Sequence, residues 1–272
     1  MKQSKKPIVT TLLIAGIAWS PMGLADGEID RALSGVPDAL KGDISANIAF
    51  TTDYRYRGIS QSGNDFAVQG GFDYAMNSGL YIGTWASNVN NFNPSQVDGS
   101  NGTQAEVDLY AGYEYALNDN ISLGVQALYY YYPGASKAGP KSTTLADYTA
   151  GRELDFWEYT PSFNWTTDTV SGTLSVSYSS DFYGESGDAF YFNGSTSTTL
   201  TDWLTLGAHA GYQEVQREIF WYPDYVDWSI SLSTHQLGLD WQVAYIGTDL
   251  DRNECGGNIC DDTVVGTISR SF

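Results

Sequence analysis

The amino-acid sequence predicts an all-β protein: a transmembrane up-and-down antiparallel β-barrel of about 12 strands, with short periplasmic turns and longer extracellular loops. Three observations lead there. Segments of roughly ten residues repeat an apolar–polar alternation from Ile44 to the last residue. The links between segments alternate strictly between short and long. Aromatic residues keep the phase of the apolar side and gather near segment ends, where amphipathic rings meet lipid headgroups.

The chain opens with an export signal. Lys2, Lys5 and Lys6 give a basic start, Ile8 to Trp19 is apolar, and Gly23-Leu24-Ala25 offers small residues for cleavage before Asp26. The apolar run is too short to serve comfortably as a spanning anchor. Residues 26–43 then form a short acidic periplasmic segment with room for a turn of helix around 29–40, and residues 44–272 form the barrel. No later run approaches ~18 apolar residues, so no internal helix spans a membrane. A hydropathy plot is blind to a barrel, because half of each spanning strand faces water.

The strands expected are 44–58, 66–76, 80–88, 105–116, 120–132, 154–165, 169–181, 189–199, 203–213, 225–234, 237–247 and 262–272. In the first, Ile44, Ala46, Ile48, Phe50, Thr52, Tyr54 and Tyr56 share one face, while Ser45, Asn47, Thr51, Asp53, Arg55 and Arg57 share the other. Further along, Val107, Leu109, Ala111, Tyr113 and Tyr115 oppose Glu106, Asp108, Tyr110, Gly112 and Glu114. Leu237, Leu239, Trp241, Val243 and Tyr245 oppose Gly238, Asp240, Gln242 and Ala244. Segments 80–88 and 189–199 are the weakest, with apolar residues on both sides. Tight turns fall at 77–79, 117–119, 166–168, 200–202 and 234–236. The long links are 59–65, 89–104, 133–153, 182–188, 214–224 and 248–261. A Greek-key sandwich has no reason to sort its loops in this way.

Tyr54, Tyr56, Tyr113, Tyr115, Tyr129, Tyr131, Trp157, Tyr159, Trp165, Tyr178, Tyr212, Trp228, Trp241 and Tyr245 supply the expected girdles. At the C-terminus, Val264, Ile268 and Phe272 share a phase and resemble the membrane-insertion signal that barrel-assembly machinery reads. Arg270 departs from that signal, where an apolar residue is usual; its stem can lie along lipid with the guanidinium at the headgroups. Cys255 and Cys260, in an exported chain, are read as a disulfide closing a short loop, worth about 2 kcal/mol by loop entropy.

The stretch Thr52-Asp53-Tyr54-Arg55-Tyr56-Arg57-Gly58-Ile59-Ser60-Gln61 resembles the opening signature of the TorF-type porin-like family, Gram-negative outer-membrane conserved hypothetical proteins. Val68-Gln69-Gly70-Gly71-Phe72-Asp73-Tyr74, Trp85-Ala86-Ser87-Asn88 and Glu106 to Tyr113 continue the resemblance. It implies an outer-membrane barrel and carries over no catalytic residue.

The function expected is a porin-like channel for passive diffusion of small solutes. Its pore-lining residues are Asp53, Arg55, Arg57, Gln69, Asp73, Glu106, Asp108, Glu114, Glu158, Asp181, His209, Gln213 and Asp240. Arg55 and Arg57 fall opposite Glu106 and Asp108 in the outer half, a charge arrangement suited to a constriction. A salt-bridge network that braces or plugs the wall is the competing expectation. Loss of residues 1–25 takes bases from 13 to 10 against 32 acids, a net charge of −22, so cations or neutral solutes are favoured. That balance excludes nucleic acid as a partner. The partners expected are outer-membrane lipid and lipopolysaccharide, the barrel-assembly machinery and small solutes.

Other classes have less support. Asp249 to Glu254 begins like a calcium loop, but the glycine and the final bidentate acid of such a loop are missing, and no metal or cofactor is assigned. Only His209 and His235 could serve as catalytic bases, so no enzyme activity is expected. Aromatic and Asn-rich loops leave surface binding or adhesion, or a structural barrel without an open pore, as the alternative.

Overall fold

Strand formation follows the period-two pattern almost wherever it occurs. The computed structural model describes residues 36–90, 103–135, 152–216, 223–255 and 257–272. The expected signal peptide, residues 1–25, and most of segment 26–43 lie outside the described residues. The strands are β1 (Gly42–Thr51), β2 (Arg55–Tyr56), β3 (Ile59–Ser60), β4 (Ala67–Met76), β5 (Leu80–Asn88), β6 (Ala105–Ala116), β7 (Ile121–Tyr131), β8 (Phe156–Thr166), β9 (Val170–Ser179), β10 (Ala189–Thr201), β11 (Leu204–Val215), β12 (Tyr225–Gln236), β13 (Leu239–Thr248) and β14 (Thr263–Ser271). A 3-10 turn at Asp38–Leu40 precedes them.

All strands except β2 and β3 form a closed barrel of twelve, each paired with its neighbours in sequence. Closure comes from β1 against β14, in register from Asn47↔Ser271 to Thr51↔Thr267. Phe272 seals the seam by exchanging backbone hydrogen bonds with Ala46 at 2.9 and 3.1 Å. Closure leaves no unpaired edge, which is what a sheet in lipid requires.

The outward face is an apolar belt. Leu109, Val125, Leu174, Ile230, Val243 and Val264 are exposed there, with Tyr115, Trp157, Tyr159 and Tyr245 among the rings. The inward face holds Gln69, Glu106, Asp108, Gln126, Glu158, Thr173, Ser175, Gln213 and Asp227, all buried. A soluble protein would reverse this distribution; a bilayer-spanning barrel with a polar interior demands it. Loops sort by end as well. Links 77–79, 117–120, 167–169, 202–203 and 237–238 lie at one end, and the strand ends joined by the longer links lie at the other.

Most boundaries shift by one or two residues from the sequence expectation, and two of the differences change where side chains go. The first wall strand stops at Thr51, not at residue 58. Tyr54 and Tyr56 therefore leave the outward girdle: Tyr54 is 1% exposed, and Tyr56 packs edge-on against the inward Tyr130 at 5.8 Å. The reason is a hairpin turn. Arg57 and Gly58 take positive φ (48° and 81°), the pair of left-handed residues that a tight two-residue turn needs. The turn expected at 234–236 lies instead at Leu237-Gly238, again with positive φ at both residues (59° and 73°). Leu237 is thus a turn residue in solvent and not part of the apolar face.

Candidate functional site

Residues 52–66 leave the wall; Thr52 and Phe66 stay at its rim, and the chain from Asp53 to Asn64 folds inward and occupies the lumen at the long-loop end. The segment is built around β2 and β3, which pair Arg55↔Ser60 and Tyr56↔Ile59. Asp53 organises its base. One carboxylate oxygen accepts from Arg55 Nε at 2.6 Å, and the other accepts the hydroxyls of Ser60 and Ser62 at 2.6 and 2.9 Å. Arg55 completes its set with the carbonyls of Gly58 and Asp261 and with Asn64 Oδ1. Ser60 and Ser62 are fully buried, so these bonds replace water that the groups have lost.

The tip crosses the barrel. Arg57 donates from Nη2 to both oxygens of Glu158 on β8, at 2.6 and 2.8 Å, and from Nη1 to Gln213 on β11 at 2.5 Å. Its guanidinium lies 3.9 Å above the ring of Tyr191 on β10. Those strands stand opposite the β1–β4 seam from which the hairpin departs. The pair is dehydrated, with side chains 6% and 4% exposed. Arginine suits this seat because its planar fork donates to a carboxylate and an amide at once while its face stacks on a ring.

Both flanks of the hairpin are packed. On one side Tyr54 donates to Glu106 at 2.7 Å, meets Trp85 edge-on, and joins a cluster with Val89, Leu128, Tyr130 and Phe156. On the other, Ile59 packs with Tyr225 and the bonded Cys255–Cys260 pair, and Ser60 N–H donates to the Ile259 carbonyl at 2.9 Å. The disulfide-closed loop thus clasps the hairpin. Arg252 pairs with Asp261 in the same loop, and that contact holds the Asp261 carboxyl below the usual range.

The wall itself makes room for side chains that lie flat. Gly211 faces Tyr191: a methyl group there would come within 2.2 Å of the tyrosine hydroxyl. Asp227 accepts from Tyr191 at 3.0 Å and contacts His209 Nε2 at 2.7 Å, just beneath Arg57. Tyr110 donates to Asp73 at 2.5 Å, and Ser122 donates to Glu114 at 2.5 Å. Farther toward the short-turn end, β10 and β12 present small neutral inward residues, among them Asn193, Ser195, Ser197, Ser229 and Ser231, all partly exposed.

Gln69, Asp73, Glu106, Asp108, Glu114, Glu158, His209, Gln213 and Asp240 sit on inward strand faces, whereas Asp53, Arg55 and Arg57 belong to the hairpin. Asp181 is different: it lies past the end of β9, is exposed, and accepts the Gly187 N–H. The expected opposition of Arg55 and Arg57 to Glu106 and Asp108 does not form, because Asp53 and Glu158 take the two arginines. In the acidic loop, Asp249 accepts the Val226 N–H and Glu254 the Asp251 N–H. Tyr191 and Asp227 were absent from the expected lining. Asp227 is an acid on the polar phase of its strand and was legible there, but Tyr191 sits in the weakly patterned segment 189–199.

Residues 39–272 match the family model described as "Bacterial protein of unknown function (Gcw_chp)". No curated protein sequence matches the chain. Among solved structures it is similar to the NanC porin, at 11% identity, over 83% of this chain and 97% of that one, with a TM-score of 0.52. It is also similar to an outer membrane channel from Pseudomonas putida F1, at 12% identity, over 88% and 98%, with a TM-score of 0.47. At such identity the first likeness is one of fold, and the second adds no argument.

Proposed function

We propose that this chain, which belongs to the Gcw_chp family, is an outer-membrane channel for passive diffusion of small solutes, with the 52–66 hairpin as its constriction. The observation that carries the reading is the division of the lumen. A hairpin reaches the opposite wall at the long-loop end, while nearer the short turns β10 and β12 line the bore with small polar residues. A membrane-spanning wall with a polar interior has transport as its most direct use. The fold likeness to a porin and the resemblance of Thr52–Gln61 to TorF-type porins support it.

The long loops face outward and the short turns face the periplasm in this reading, with lipid, lipopolysaccharide and the assembly machinery as partners. Acids exceed bases 32 to 13 in the whole chain, so the passage favours cations and neutral solutes over anions. A twelve-strand barrel is wider than the eight-strand barrels that side chains fill, yet narrower than open sixteen-strand porins. The hairpin narrows it further, so unit conductance is small.

The test is planar-bilayer recording of the unmodified protein and of a variant in which residues 54–61 are replaced by a glycine–serine link. Small cation-selective steps that grow several-fold in the variant are the expected result. Anion selectivity removes the solute preference. Silence from both proteins, with the barrel inserted, removes the channel. The dense burial of the hairpin would then favour a sealed barrel working through its surface loops.

A further inference from the structure

We propose that a small monovalent cation, such as potassium or sodium, binds inside the barrel at Asp108 and Glu106. Besides Asp227, which Tyr191 and His209 contact, the packed half of the lumen has three carboxylate seats, and two come with their own cation. Asp53 holds Arg55 and two serine hydroxyls. Glu158 holds Arg57 and the Tyr130 hydroxyl. The third seat is the inward face of β6, where Glu106 and Asp108 stand two residues apart, about 7 Å along the strand.

Glu106 is 1% exposed and accepts the Tyr54 hydroxyl. Asp108 is 0% exposed, and neither of its carboxylate oxygens has a hydrogen-bond partner. It stands in register between Trp85 on β5 and Tyr130 on β7, residues that keep water from its sides. A buried, unpartnered carboxylate beside a second carboxylate is among the costliest arrangements a folded chain can hold. A cation between them removes both the desolvation and the repulsion. The neighbouring seat displays the same solution, with the Arg57 charge held between a carboxylate and aromatic rings. Among the described residues no group of three or more His, Cys, Asp and Glu side chains has metal-site geometry, so the seat suits a monovalent ion better than a divalent one.

Thermal unfolding of the barrel in detergent tests this without any need for conduction. Unfolding is compared in potassium chloride and in N-methylglucamine chloride at equal ionic strength, for the unmodified protein and for Asp108→Asn. A few degrees of stabilisation by potassium, absent in the variant, is the expected result (on the order of 3 °C). Equal stability in the two salts overturns the proposal. So does a potassium effect that survives in Asp108→Asn, or a stability that follows pH but ignores the cation, which would mean that a proton fills the seat. If the variant does not fold, thallium-soaked crystals of the unmodified protein decide the matter. An anomalous peak touching both Asp108 and Glu106 upholds the site, and its absence overturns it.

Discussion

At the level of Arg57 the interior holds buried tyrosines and dehydrated carboxylates, and the hairpin meets wall residues on three strands. Toward the short turns β10 and β12 present Ser195, Ser197, Ser229 and Ser231, which keep partial exposure to the bore. Both regions are polar by composition, but they obtain hydrogen bonds differently. In the first most groups satisfy one another, with the Asp108 carboxylate as an exception; in the second, water is within reach. The bore is therefore narrowed by an inserted segment and not by the wall. The charges that a sequence reader assigns to a selectivity ring serve largely to seat that segment.

The strongest way to break this contrast is Arg57→Ala. Removing the guanidinium leaves Glu158 buried without its counter-ion, and loss of one partner from such a pair costs about 3–5 kcal/mol. Unfolding in urea should register that cost, and removal of both side chains in Arg57→Ala/Glu158→Ala should recover part of it. The same single variant should conduct more, because the tip has lost its hold on β8 and β11. Equal stability of single and double variants would mean that the ion pair does not seat the hairpin.

How much of this was legible beforehand depends on which rule governs each stretch. The wall was legible because two-residue periodicity is imposed by lipid on one side and water on the other. Even the weakly patterned 80–88 and 189–199 proved to be strands. The hairpin was not, because alternation continues through Tyr54 and Tyr56 into a segment buried on both faces. A period of two cannot distinguish lipid from packed aromatic rings. The punctuation was present in Arg57-Gly58, and the density of Ser60, Gln61 and Ser62 beside two arginines fits an internally bonded loop better than a wall. The destination of Arg57 was out of reach, since Glu158 and Gln213 lie 101 and 156 residues away. The misplaced turn at 234–236 has a simpler cause: Gly238 was read as a strand residue although glycine is what the turn requires.

A smaller effect comes from the wall that receives the tip. In Gly211→Ala the new methyl would collide with the Tyr191 hydroxyl and with Asp227 Oδ2 at 2.6 Å. Tyr191 must then move off the surface on which Arg57 stacks. We expect a loss of roughly 1–3 kcal/mol, the usual cost of overpacking a close-fitting site. Gly194→Ala is the control on the same sheet, because its added carbon meets only the end of the Leu174 side chain at 3.3 Å. If both variants unfold alike, the close fit at Gly211 carries no special weight.

Next in size is the clasp. Replacing Cys255 and Cys260 by serine should cost about 2 kcal/mol or less, because the loop they close is short. The more telling readout is hydrogen exchange at Ser60, whose N–H is bonded to Ile259 of the clasp. Exchange there should accelerate more than at Tyr54, whose N–H is bonded to Ser62 within the hairpin. Uniform acceleration would mean that the hairpin moves as one body when the clasp loosens.

The smallest effect is electrostatic and lies at the surface of that clasp. Arg252 holds the Asp261 carboxyl below its ordinary value, so the folded loop binds a proton less readily than the unfolded chain does. The sign follows: the contribution is present above the ordinary carboxylate pKa of about 4 and is lost as pH falls through the lowered folded value. Arg252 is exposed and Asp261 partly so, and water and salt screen most of the interaction. A spin label at Asn258, inside the loop, should therefore gain mobility only in strong acid, and high salt should reproduce part of that gain at neutral pH. In Asp261→Asn the pH step should vanish while the clasp persists, because the contacts of Ile59 with the disulfide do not involve this charge. A clasp that opens in that variant would mean that the surface ion pair, and not the buried apolar contact, fastens the loop to the hairpin.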